Sequence, residues 1–313
     1  MSTPNSGKRI TIVTAGHVSA CPRMLKAADA LVCAGHSVRV VSVNHTAWMT
    51  AADAAVKATR RWSWSVVDYD AVTGAALKRK SGARFKVMRT LAQSIGPARV
   101  PLGVAIRAYS RVHDELVREA TAEPADLIYG GSTGALAAVR ESARRLGVPY
   151  GIDFEDFHSG EHGGPGSDLP NALAARVEAQ IIPDARFITT GSPMIADVYA
   201  ERYGVRPLPI HNTFSVAPDG PPVTQDGPLR LYWFSQTLGP GRGLEDVIRA
   251  AAEAAVAVQL HLRARPIPEY VESIRALQAG VAPQLEIVPH EPAAPDDMVR
   301  LAQPYDAGLA CEL

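Results

Sequence analysis

Residues Gly239, Pro240, Gly241, Arg242 and Gly243 lie between an apolar run, Leu231–Ser235, and a helical pattern that starts at Leu244. A strand, a glycine loop and a helix start in that order suit an anion. Glycines let a ligand reach the main chain, the first helical N–H groups have no intrahelical partners, and an arginine adds a fixed charge. The ligand expected from this chemistry is a diphosphate. Gly241 and Arg242 would hold it, with Gln236 at the near end of the loop and Arg263, on the next strand, as a second cation. No Gly-Lys-Ser/Thr follows, so this is not a nucleoside-triphosphatase loop. The alternative here is a plain Gly/Pro turn with a solvated arginine.

A second constellation lies in GIDFEDFHSGEHGG, Gly151–Gly164. Asp153, Glu155, Asp156 and His158 follow an apolar strand, where a histidine can orient a hydroxyl or take its proton. The competing reading is a solvated acidic loop. His158 to His162 also matches H-x-x-E-H, a zinc-protease pattern that needs both histidines on one helix face. The Ser-Gly inside it and the Gly-Gly-Pro-Gly after it oppose a helix, so no metal site is expected. GGSTG, Gly130–Gly134, matches G-x-S-x-G and would make Ser132 the nucleophile of an α/β-hydrolase. That reading needs an acid and a histidine after later strands of one continuous sheet.

The elements that must position these residues follow a repeated pattern. RITIVTA, SVRVVSV, ADLIYGG, VPYGIDF, ARFITTG and RPLPIHN read as strands, separated by helical patterns such as RMLKAADALVCAGH and STGALAAVRESARRLG. Alternation of this kind predicts a doubly wound α/β domain. Val216–Pro228 holds four prolines and two glycines and reads as a linker. Alternation then restarts with LRLYWFS, AVQLHLRA, QLEIVP and YDAGLAC as strands. The expected organisation is an N-terminal domain over 1–215, a linker over 216–228 and a C-terminal domain over 229–313. In open α/β sheets ligands bind beyond the carboxyl ends of the strands, so the expected site is a cleft between two such domains. Four strands in the second domain are fewer than usual, so that domain is expected to be partial.

Composition bounds the function. Lys plus Arg and Asp plus Glu both total 32, which speaks against a nucleic-acid partner. Cys21, Cys33 and Cys311 form no paired motif, which suits a reducing cytoplasm. MSTPNSGKR is polar and shows no secretory pattern. The charge is uneven, however. Residues 78–111 carry nine Lys or Arg and no Asp or Glu, interleaved with apolar residues. Such a segment reads either as a peripheral contact with the inner face of a membrane or as a solvated helix face.

Taken together, AGHVSACPRMLKAADALVCAGHSVRVVSV, ARFITTGSPMIADVYAERYG…PIHNTF, LYWFSQTLGPGRGLEDVIRAA and PYDAGLACE resemble segments of GT-B glycosyltransferases, specifically retaining enzymes of the family 4 type. The resemblance spans most of the chain. It implies two Rossmann-like domains and transfer of a sugar from a nucleotide-diphosphate donor, with retention, to a glycan, lipid-linked or small-molecule acceptor. No cofactor is implied. Gly16 and Arg23 correspond to the family's first glycine loop, Asn212 to the end of its N-terminal domain, and the loop at Arg242 to its donor-phosphate loop. His158 and Asp156 fall in the loop facing the acceptor or sugar, and Glu312 is the first acid of the donor motif. Two departures stand out. The first basic position of the phosphate loop is Gln236 here, and the family's second acid would lie beyond Leu313. The 313-residue chain is therefore expected to be deficient as it stands. A non-catalytic GT-B-like binding or partner subunit is the alternative.

Overall fold

The computed structural model describes residues 7–160, 169–214 and 227–311. The chain divides into two compact units, Met1–Thr213 and Phe214–Leu313. Most of the expected linker lies outside the described residues.

The first unit grows from β1 (Arg9–Thr14) and β2 (Ser37–Asn44), β-branched runs buried on both faces. With β3 (Ser63–Asp68), β4 (Leu127–Gly131), β5 (Tyr150–Phe154), β6 (Phe187–Thr190) and β7 (Leu208–Pro209) they form a parallel sheet of order β3-β2-β1-β4-β5-β6-β7. The strand order reverses between β1 and β4, which marks the switch point of a doubly wound sheet. Successive residues face opposite layers. Ile12 and Val40 pack with Met24, Leu25 and Ala28 of α1 (Pro22–Cys33) and with Val56 of α2 (Thr50–Ala58). Val13 and Val41 pack with residues of α5 (His113–Ala120), α6 (Leu136–Leu146) and α7 (Leu169–Ile181). The long α3 (Ala75–Ile95) and α4 (Leu102–Tyr109) pair with one another. α8 (Pro193–Tyr203) is punctuated by its sequence: Ser192 Oγ accepts the Ile195 N–H at 3.2 Å, Pro193 opens it, and Gly204 ends it at a φ of 70°.

Three strands differ most from the sequence reading, and the last of them, read over YDAGLAC, narrows to Ala307–Gly308. β3 is not among the expected strands; its Ser-Trp-Ser start masks the pattern, yet it pairs with β2 from Arg39–Ser63 to Asn44–Asp68. β7 is shorter than the expected run, because prolines at 207 and 209 have no N–H for the ladder.

The second unit holds β8 (Leu229–Leu238), α9 (Leu244–Ala252), β9 (Val258–Pro266), α10 (Pro268–Val281), β10 (Glu286–His290), α11 (Met298–Ala302) and β11 (Ala307–Gly308). Its sheet is parallel, in the order β10-β9-β8-β11. Trp233, Leu260 and Leu262 pack beneath Leu244 and Ile248 of α9 and Tyr270 and Ile274 of α10. Tyr232, His261, His290 and Tyr305 form a separate polar-aromatic layer. Tyr232 stacks on Tyr305 at 4.4 Å, and His261 Nδ1 lies 2.9 Å from His290 Nε2. The restart of alternation at Leu229 thus marks a separate sheet, as the sequence pattern requires.

Candidate functional site

In the second unit the glycine loop runs Gly239–Gly243, from the end of β8 to the start of α9. Gly241 and Gly243 have φ of 76° and 70°, in the left-handed region that favours glycine. Gly243 is also packed tight: a Cβ there would run into the carbonyl of Cys311. The Cys311 thiol donates to the Arg242 carbonyl at 3.2 Å, so the segment after β11 props the loop from below. Gly243 caps α9 without a side-chain hydrogen bond, and Glu245 and Asp246 occupy the first turn. Those carboxylates oppose an incoming anion, and Arg242 is the loop's cation.

Two expected contacts are placed differently. Gln236 lies within β8, not in the loop, because a register shift between Phe234 and Thr237 carries the strand on to Leu238. Arg263 is tied into the polar-aromatic layer: Nε donates to Tyr232 Oη at 2.8 Å and Nη1 to the Glu291 carbonyl at 2.6 Å. Its guanidinium therefore braces the sheet. Glu312 lies outside the described residues.

In the first unit, Arg23 points inward. Its Nε and Nη2 each donate to Asp153 at 2.6 Å, and Nη1 donates to the Ile210 carbonyl at 2.5 Å. Asp153 is fully buried and also accepts from Thr189 Oγ1 at 2.5 Å. The pair locks β5 to α1 and to the segment after β7. The same segment is held by Lys26 Nζ, which donates to Asn212 Oδ1 at 2.8 Å. Gly16 packs with its α-carbon side toward Cys21, where a Cβ would come within 2.7 Å of Sγ. Thus Arg23 and Gly16, expected as ligand contacts, shape the loop that would meet a ligand.

His158 is buried in a 3-10 turn, His158–Gly160, with Nδ1 at 3.4 Å from Thr133 Oγ1 and its ring edge toward Phe154. The second half of the H-x-x-E-H pattern lies outside the described residues, and among those described no cluster of His, Cys, Asp and Glu could hold a metal. Asp156 is exposed beside it. Glu155, named in the sequence with Asp153, Asp156 and His158 but given no role of its own, is half-buried here. Burial, then the nearby Asp156 and Asp153, push its carboxyl up. Its signal in the sequence is the run of acids after β5. A further pair lies at the end of β1: His17 Nδ1 is 2.7 Å from Asp53 Oδ2, and Ser19 N–H donates to Asp53 Oδ1 at 2.9 Å. His17 Nε2 accepts the His45 N–H at 3.3 Å, so its proton sits on Nδ1 and faces Asp53. Burial opposes the Asp53 charge, but the His17 and Ser19 hydrogen bonds outweigh it and hold the carboxyl down.

Ser132 sits at a φ of 77°, the sharp turn that a nucleophile elbow requires. Its Oγ accepts the Ala15 N–H at 2.9 Å and lies 3.2 Å from Thr14 Oγ1. No histidine among the described residues bonds it. The two sheets are also separate, so the hydrolase reading has neither its base nor its continuous sheet. Ser132 ties the loop after β4 to the loop after β1.

These features define the class: an α/β chain of the GT-B type, with a seven-stranded and a four-stranded parallel sheet. Among the solved structures of similar fold are three glycosyltransferase structures. HepE of Anabaena, in complex with UDP and glucose, is 14% identical, with 90% of this chain and 69% of that one covered and a TM-score of 0.56. A glycosyltransferase of Rickettsia africae is 11% identical, with 98% and 73% covered and a TM-score of 0.55. The lipopolysaccharide outer core galactosyltransferase WaaB, in its apo form, is 11% identical, with 97% and 74% covered and a TM-score of 0.53. No protein-family model and no curated protein matches the chain.

Proposed function

We propose that this chain is a glycosyltransferase that takes a sugar from a nucleotide-diphosphate donor. The observation that carries this reading is the loop Gly239–Gly243: two left-handed glycines that deliver Arg242 to the start of α9. The negative charge that grows on the leaving diphosphate would be met there by Arg242 and the first N–H groups of α9. HepE, of similar fold, was solved with UDP and glucose, which supports the donor class. Retention of configuration and a glycan, lipid-linked or small-molecule acceptor come from the resemblance to the family 4 type. In the first unit, Glu155 is the group whose raised affinity for a proton suits proton exchange with an acceptor hydroxyl. His158 and Asp156 form the wall beside it. No metal is required where protein cations serve the diphosphate.

A second reading, a binding or partner subunit without transfer, is favoured by a specific observation. Gln236 lies in the strand and Arg263 is committed to Tyr232, so the loop has a single arginine and two nearby carboxylates. Titration calorimetry with UDP, run beside a sugar-transfer assay, separates the readings. Arg242→Ala should weaken binding of UDP by about 1.5–3 kcal/mol, the scale of a charge-assisted hydrogen bond, and leave uridine nearly unchanged. Equal UDP affinity in variant and parent would remove Arg242 from the site. UDP binding without sugar transfer would favour the subunit reading.

A further inference from the structure

The long helix α3 carries a surface that sugar transfer does not use. Its inner side, with Met88 and Ala92, closes a small core with Val100, Ala105 and Ala108. On its outer side Val87, Leu91 and Ile95 are 53%, 40% and 44% exposed. Each step of four residues turns the helix by only about 40° past a full turn, so the three form one continuous stripe.

Charge supplies the second observation. Of the nine cations in residues 78–111, three are drawn into the fold. Arg84 donates to Glu115 at 2.6 and 3.0 Å, Arg107 donates to Asp114 at 2.6 Å, and Arg111 donates to the Lys78 carbonyl and Ser81 Oγ. Arg79, Lys80, Lys86 and Arg99 are exposed, and none has a carboxylate partner among the described residues. The outer face of α6 is different: its Glu141 serves both Arg144 and Arg145 at 2.8 Å. A merely solvated α3 would be expected to carry such acids and to keep large apolar side chains turned inward.

We propose that this face of α3 docks on an anionic lipid surface. Val87, Leu91 and Ile95 enter the boundary between headgroups and acyl chains, while Arg79, Lys80 and Lys86 of the same helix meet the phosphates. Charge complementarity selects this occupant. Nucleic acid would leave the apolar stripe unused, and three side chains fall far short of the roughly 800 Å² per partner of a stable dimer.

The test is sedimentation of the full chain with vesicles of phosphatidylcholine, with and without phosphatidylglycerol. The chain should bind the anionic vesicles and release as salt rises. The variant Lys80→Glu/Lys86→Glu should weaken binding by about fivefold per lost cation, hence by at least about 25-fold. Leu91→Ser should weaken it by about tenfold. All three positions are exposed, and circular dichroism checks that the fold persists. Absence of binding by the parent, equal binding to neutral vesicles, a dimer that Leu91→Ser dissolves, or tighter binding to duplex DNA than to vesicles would each overturn the proposal. Docking stands apart from sugar transfer: a chain that binds vesicles but no UDP keeps the first and loses the second.

Discussion

Arg9 and Arg230 hold the same place in the two sheets. Each lies at the start of its unit's first long strand and grips an aspartate just before the strand that joins on the far side. Arg9 N–H donates to Asp126 Oδ2 at 2.8 Å, and the Asp126 N–H returns to the Arg9 carbonyl at 2.8 Å. Arg230 N–H donates to Asp306 Oδ2 at 2.8 Å, and the Asp306 N–H returns to the Arg230 carbonyl at 3.0 Å. The amino ends of the sheets are thus built alike. Their carboxyl ends differ. The first unit locks its loops with a buried ion pair, Arg23 with Asp153, whereas the second props a glycine loop on the main chain of Cys311. A charged lock fixes loop positions firmly but uses up its arginine. A glycine loop holds its shape through backbone that only glycine adopts readily, with Arg242 set between Gly241 and Gly243 at the start of α9. That difference is why the proposed diphosphate site is placed on the second unit and not on the first.

The strongest way to break this comparison is Arg23→Ala. It would strand Asp153 as a buried, unpaired charge, which typically destabilises by about 3–5 kcal/mol. Urea unfolding followed by hydrogen exchange in β5 and β6 should report a loss of that size. A loss below about 1 kcal/mol would mean that neighbours satisfy Asp153, and the lock would not be one.

Much of the architecture was legible in the sequence because buried parallel strands are written as β-branched runs, as in RITIVT and SVRVVSVN. The glycine loop was legible because its conformation demands glycine at Gly241 and Gly243. What stayed hidden is tertiary. Arg23 and Asp153 are 130 residues apart, so nothing local announces that the arginine turns inward. Gln236 read as a loop residue because the apolar run weakens after Phe234, but the register shift there keeps the chain in the sheet. β3 alternates serine with tryptophan, a pattern that the neighbouring β2 makes into a strand.

Gly243→Ala sharpens the other side of the comparison. Left-handed backbone costs a non-glycine residue about 1–2 kcal/mol, and the new methyl would also press on the Cys311 carbonyl. Gly241→Ala carries the same kind of strain with no heavy atom close by. Thermal unfolding should rank Gly243→Ala below Gly241→Ala, which should lie below the parent. Equal losses would show that the prop from Cys311 contributes nothing.

The smallest effect tests the shared feature. The hydrogen bond from Arg9 holds the Asp126 carboxyl at about 2, below its ordinary 3.8. The hydrogen bond from Arg230 likewise holds Asp306 down. A carboxyl depressed in the folded chain stabilises that chain above its unfolded pKa, and the contribution is lost as pH falls through the folded value. For Asp126 the window runs from about pH 4 down to about 2. Asp126→Asn removes the titration but keeps an oxygen for the Arg9 N–H, so the parent's extra loss of stability across that window should flatten. Asp306→Asn should flatten it in the same direction in the second unit. Both pairs are partly exposed, so the changes should be modest and should shrink with added salt. Acid unfolding of the two variants beside the parent, read by hydrogen exchange at β4 and at β11, makes the comparison direct. Flattening by Asp126→Asn alone would mean that Arg230 and Asp306 share only the geometry of the first pair and not its energetics.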